Sequence, residues 1–139
     1  MPLPKTASKS PKSLPSFDFN KLSPSWRISY MEMCDPFGWH ELRQEKLREI
    51  RGKLGELEKL TWNEILVARK HLNHTVQVDD ICKEAKERLI ELGLDDVDEL
   101  VSLRLMGAER VWGFPMFGAL TLLWWDPDHQ VYPTALKNT

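Results

Sequence analysis

Beyond residue 98 the hydrophobic period of the chain drops from that of a helix to two, and no other feature of the sequence constrains the fold as much. In "ELVSLRL" (99–105), Leu100, Ser102 and Arg104 fall on one face, and Val101, Leu103 and Leu105 on the other. "MGAE" turns, "RVWGF" (110–114) returns, "PMFG" turns again, and "ALTLLWW" (119–125) is the most apolar segment. A period of two belongs to strands, because successive side chains there point to opposite faces. Three such segments joined by short turns predict an antiparallel three-strand meander.

The preceding residues read differently. "WRISYMEM" (26–33) alternates and predicts an N-terminal strand, closed by the turn "DPFG". Residues 39–59 predict a helix, with Leu47, Ile50, Leu54 and Leu57 drawing one apolar stripe at spacings of 3, 4 and 3. Thr61 and Glu64 form a capping box that opens a second helical piece, "TWNEILVARKHL". Asp79 or Asp80 is placed to cap a third helix through Ile81, Ala85 and Leu89, with Gly93 as its C-terminal stop. The expected class is α+β: an N-terminal strand, two to three helices, then the meander, with the helices on one face of a mostly antiparallel sheet.

A chain of 139 residues supports one domain with its own core. Residues 1–25 hold five of the nine prolines among serines and lysines. Such a stretch buries too little to offset its ordering entropy. It predicts a flexible basic, proline-rich tail before a single domain at 26–139, with Phe17 and Phe19 available to dock on it. Residues 1–27 carry a local excess of four positive charges, although the whole chain is at −2. The stretch from Asp79 to Glu99 carries nine acids against three bases. No apolar run is long enough for a membrane span and no secretory h-region follows the N-terminal lysines, so a cytoplasmic protein with reduced Cys34 and Cys82 is expected.

The strand pattern places polar groups where a rigid scaffold exposes them. Arg104 and Arg110 face each other across a turn, and Asp126, Asp128, His129 and Tyr132 follow the last strand. Arginine clamps two phosphate oxygens, histidine exchanges a proton near neutrality, and tyrosine or tryptophan stacks on a base. Ordinary alternatives stand beside each. The arginines can pair with Glu99 or Glu109, and Asp126-Pro-Asp can be a plain turn. His129 can be a half-buried structural histidine. Trp124 and Trp125 point to opposite faces, so at least one belongs to the core. His71, His74, Asp79 and Asp80 show no recognised metal-ligand spacing, and no glycine-rich phosphate loop, GxSxG or HExxH occurs. Neither a metal nor a cofactor is expected.

The stretch "SLRLMGAERVWGF…ALTLLWWDPDHQVYP" (102–133) resembles the C-terminal meander of the RelE/ParE toxin superfamily, in which an "RLxGxxR"-like turn leads to an apolar strand and a short tail with histidine or tyrosine. The order of elements over about residues 25–133 is similar too. The resemblance implies the toxin of a toxin–antitoxin system, held by a cognate antitoxin. In the RelE-like branch it implies a metal-independent endoribonuclease that cuts mRNA on the ribosome. It makes Arg110 the phosphate clamp, Arg104 a second contact, His129 acid or base, and Tyr132 a stacking or proton-donating group. Trp112 and Lys137 are further candidates for substrate contact. Two alternatives remain: a non-catalytic RelE-like module that binds a protein partner, and a ParE-like poison of a topoisomerase.

Overall fold

The most apolar segment and the Asp126 that follows it form β5 (Ala119–Asp126), all eight of whose residues are buried because the strand has neighbours on both edges. The computed structural model describes residues 18–133. Along the chain they form β1 (Trp26–Arg27), α1 (Gln44–Leu57), a short π-helical turn (Glu64–Ala68), β2 (Asn73–Gln77), α2 (Lys83–Glu91), β3 (Glu99–Arg104), β4 (Arg110–Met116) and β5. The class is α+β, with one five-stranded mixed sheet in the order β1-β5-β4-β3-β2. The pairs β2–β3, β3–β4 and β4–β5 are antiparallel, and β1 runs parallel to β5. The sheet is therefore larger and more mixed than the antiparallel three-strand meander expected: β2 adds a strand on one edge, and the expected N-terminal strand joins the other edge as β1, in parallel.

Alternation along the strands separates two cores. Leu100, Trp112 and Trp124 belong to one, with Ile81, Ala85 and Leu89 of the α2 region; Trp112 and Trp124 are direct cross-strand partners. Leu103, Val111 and Trp125 occupy one row of the opposite face and pack with Ile50 and Leu57 of α1, Trp62 and Ile65. The helices thus cover both faces rather than one. The reason is that the central strands are apolar on both sides, so each face needs its own cover.

The α1 stripe is only partly inward. Ile50 and Leu57 are buried, Leu54 packs partly, and Leu47 is 48% exposed near the start of the helix. Leu57→Ala should cost about 2–5 kcal/mol, since Leu57 is 1% exposed. Leu47→Ala should stay within about 0.5 kcal/mol. Denaturant melts of the two variants check this, and equal losses would contradict the assigned faces.

The N-terminal strand is shorter than its alternation suggests, because after Arg27 the chain leaves the sheet. A bulge explains where it goes. Trp112 pairs with Trp124 but Gly113 pairs with Leu122, so Leu123 has no opposite number. Its carbonyl accepts hydrogen bonds from the Glu32 amide at 3.0 Å and the Trp39 indole at 3.2 Å. Gly113 is required there: a Cβ would lie 2.4 Å from the Thr121 carbonyl oxygen. Glu32, expected on a strand face, is instead a buried carboxylate gripped by Arg88 of α2 at 2.6 and 2.8 Å and by the Trp124 indole at 3.3 Å.

Residues 18–25, assigned to the tail by composition, pack on the domain. Phe19 stacks on Trp62 at 5.1 Å, and the Trp62 amide donates to the Leu22 carbonyl at 2.8 Å. Residues 1–17 lie outside the described residues, as do 134–139 and with them Lys137. The capping box forms as expected, with Glu64 Oε1 accepting from the Thr61 amide and Thr61 Oγ1 from the Glu64 amide. The piece it opens ends at Ala68. Asp79 and Asp80 sit in a 3-10 turn and do not cap α2, whose N-cap is Cys82. Gly93 terminates α2 with φ of +75°, a conformation glycine adopts without penalty. Among the described residues no helix is long and apolar enough to cross a membrane.

Candidate functional site

The strands bring Arg104, Arg110 and Asp126 into one row, since Arg104 pairs with Arg110 and Arg110 with Asp126. This row lies two residues along each strand from Ser102, Trp112 and Trp124, hence on the same face. The apolar core fills that face beneath the Trp112–Trp124 row and stops there. The arginine row therefore opens into a cavity of about 500 Å³ whose walls include Arg104, Arg110, His129 and Tyr132. Four sequence-predicted site residues meet in it.

Asp126 builds the wall that carries His129. It is 1% exposed, and its carboxylate accepts from the Trp112 indole at 3.1 Å, the Gln130 amide at 2.8 Å and the Val131 amide at 3.0 Å. One buried acid thus folds the chain back after β5, reaching four and five residues on rather than the two of a simple Asx turn. His129 takes a φ of +57° at the apex. The Cys82 amide then bonds the Val131 carbonyl at 2.8 Å, docking the tail on the start of α2.

Trp112 takes another part than the one expected. It is 0% exposed, with its indole committed to Asp126, so it cannot stack on a ligand and serves as a core anchor for the turn. Trp124 and Trp125 are both buried, on opposite faces.

The arginines are braced without being neutralised. Arg104 Nε and Arg110 Nη1 both donate to the Gly107 carbonyl, at 3.1 and 2.7 Å, and Arg110 Nη1 also reaches the Glu109 carbonyl at 3.1 Å. The acids that could have paired with them are engaged elsewhere. Glu99 accepts from Gln77 at 2.6 Å, and Glu109 holds Lys46 of α1 at 2.8 Å. Among the described residues no carboxylate lies within salt-bridge distance of either guanidinium. Burial and then the neighbouring Arg104 push the Arg110 guanidinium below its ordinary value, with Asp126 opposing. Arginine stays cationic regardless, so the cavity offers two guanidiniums to an anion, with the Asp80 carboxylate also in its lining.

Burial, then the charge of Arg110, also pushes the His129 imidazole below its ordinary value; Asp126 opposes, while His74 and Arg104 add to the fall. Below pH about 6.5 the unfolded chain takes up a proton that the folded chain resists. Stability is therefore lost as pH falls through the window below the ordinary value and is untouched by this group above it. The fall in melting temperature between about pH 7 and pH 5 should be smaller in His129→Gln than in the wild type. Equal falls would contradict the assigned environment.

The cavity also has residues that the sequence did not place with these four; His71, His74 and Asp80 among them were weighed there only as metal ligands. His74, Thr75 and Gln77 come from β2, His71 from the segment before it and Asp80 from the turn after it. The β2 segment gave little signal, because its two buried residues, Asn73 and Val76, are three apart and lie on opposite faces of the strand. The potential metal ligands that converge among the described residues are Asp35, His40 and Glu41, all exposed and remote in sequence from this cavity. A smaller cavity of about 290 Å³ is lined by Asp79, Asp95, Asp98 and Glu99 and carries the sign opposite to the arginine site.

Set against known proteins, the chain matches no family model, no curated protein and no solved structure.

Proposed function

We propose that the arginine cavity is a phosphodiester site and that the chain is the toxin of a RelE/ParE-type toxin–antitoxin system, cutting mRNA without a metal. The observation that carries this reading is the meeting of Arg104 and Arg110, unpaired with any described carboxylate, with His129 and Tyr132 in one cavity. Two guanidiniums match the geometry and charge of a phosphodiester better than any neutral ligand. Charge grows on the phosphoryl oxygens as the RNA 2′-OH attacks, and preformed positive groups stabilise it without reorganising. In this scheme Arg110 clamps the phosphate and Arg104 makes a second contact. His129 transfers a proton, and Tyr132 stacks on a base or donates. The partners are the cognate antitoxin and mRNA on the ribosome.

A binding module without catalysis draws support from one observation: both guanidiniums bond the carbonyl of Gly107, as a structural brace would. A ParE-like topoisomerase poison would need no acid–base pair at all. Inducing the chain in cells separates the three. The ribonuclease predicts growth arrest with new 5′-hydroxyl ends in mRNA. The poison predicts arrest with a DNA-damage response and intact mRNA, and the binding module predicts no arrest.

A further inference from the structure

We propose that His74 is the second proton-transfer group of the cavity, acting as general acid on the leaving oxygen while His129 acts as general base. This rests on the ribonuclease reading above. Cleavage by the neighbouring 2′-OH needs two such groups, because the attacking and leaving oxygens lie on opposite sides of phosphorus. The sheet supplies them in that order. His74 on β2 pairs with Ser102, one row from Arg104 and on the same face. Next across the sheet come Arg104 on β3 and Arg110 on β4, then Asp126 on β5, whose turn carries His129. The two imidazoles therefore bracket the two guanidiniums around one cavity.

The hydrogen bonding of His74 suits the role. Its Nδ1 lies 3.3 Å from the Lys70 carbonyl oxygen. A carbonyl only accepts, so Nδ1 carries the hydrogen and Nε2 is the nitrogen that gains and loses a proton. Burial, then the charge of Arg110, with smaller contributions from His74 and Arg104, disfavours the protonated form of half-buried His129, while Asp126 opposes; the direction is the one a base needs. The charged and titratable groups around His74 in the cavity are His71, Asp80, Arg104, Arg110, His129 and Tyr132.

The step balances within the chain and its substrate. His129 takes the proton of the 2′-OH, and the 2′-oxygen bonds phosphorus. The bond from phosphorus to the 5′-oxygen breaks, and the electron pair leaves on that oxygen. The His74 imidazolium protonates it. The products are a 2′,3′-cyclic phosphate and a 5′-hydroxyl, and water exchange resets both rings.

The test uses the full chain with ribosomes translating an mRNA, comparing the wild type with His74→Asn, His74→Gln and His129→Gln over a range of pH. Asn places an amide N–H where Nδ1–H stood and keeps the bond to Lys70, but it cannot exchange a proton. Cleavage should fall on the order of 100-fold in both His74 variants with unchanged melting curves. The wild-type profile should be bell-shaped. The His74 variants should lose its alkaline limb, and His129→Gln its acid limb. If one His74 variant misfolds, the other carries the comparison. His74→Asn cutting at the wild-type rate with both limbs intact would overturn the role of His74 and leave the ribonuclease reading standing. A wild-type chain that leaves mRNA uncut would overturn both.

Discussion

Arg110→Ala should abolish growth arrest on induction and lower RNA cleavage by roughly 100-fold or more, the scale of losing one preorganised charge at a developing oxyanion. The variant should still fold. Arg110 is only part-buried, and its hydrogen bonds go to carbonyls of its own turn rather than to the core. Removing it also relieves repulsion with Arg104, which opposes part of the stability lost with those bonds. Arg110→Lys should recover only part of the rate, since an ammonium keeps the charge but lacks the two-pronged donor geometry. The measurements are growth, mapped RNA ends and a melting curve for each variant. A folded Arg110→Ala that remains fully toxic would remove the phosphate clamp from the mechanism.

Asp126→Ala should lower stability by about 3–5 kcal/mol, near the top of the range for single substitutions. Three donors lose their acceptor at once. The Trp112 indole and the Val131 amide are buried, so water cannot replace the carboxylate without opening the core. Activity should fall with stability, because the turn that holds His129 depends on the same oxygens. Denaturant unfolding gives the first quantity and RNA cleavage the second. A loss below about 1 kcal/mol would mean that the turn is held by something other than Asp126.

How far the sequence disclosed this arrangement depends on what each segment's pattern was recording. β3, β4 and β5 fall within two residues of their expected bounds, because alternation and turn residues there agree with burial. β2 was not legible: it has five residues, and its two buried positions, Asn73 and Val76, are three apart, which is not the spacing of one strand face. The missing strand took His74 with it, and so half of the proposed proton relay. "WRISYMEM" shows the reverse failure. Its alternation is real, but beyond Arg27 it serves a loop in which Glu32 turns inward to meet Arg88. Such a contact joins residues 56 apart in sequence and leaves no local trace. Trp112 was misread for a related reason. An aromatic beside Arg110 suits a base-stacking platform equally well until the depth of its side chain is known.

The parallel pairing of β1 with β5 has a consequence for the order in which the molecule can be assembled. Trp26 meets Leu120 and Arg27 meets Thr121, so the earliest of the described strands to be synthesised pairs with the latest of them. Translation delivers the N-terminal part first, and contacts distant in sequence must wait for their second member. Until residues 119–126 emerge, the 26–39 segment has no Leu123 carbonyl to bond and no Trp125 amide to donate to the Phe37 carbonyl. The cavity is later still, because His129 and Tyr132 come after the strand that positions them. A nascent chain that stalls before this point has neither a closed sheet nor an assembled cavity, so synthesis itself sets the earliest moment at which the proposed activity can begin.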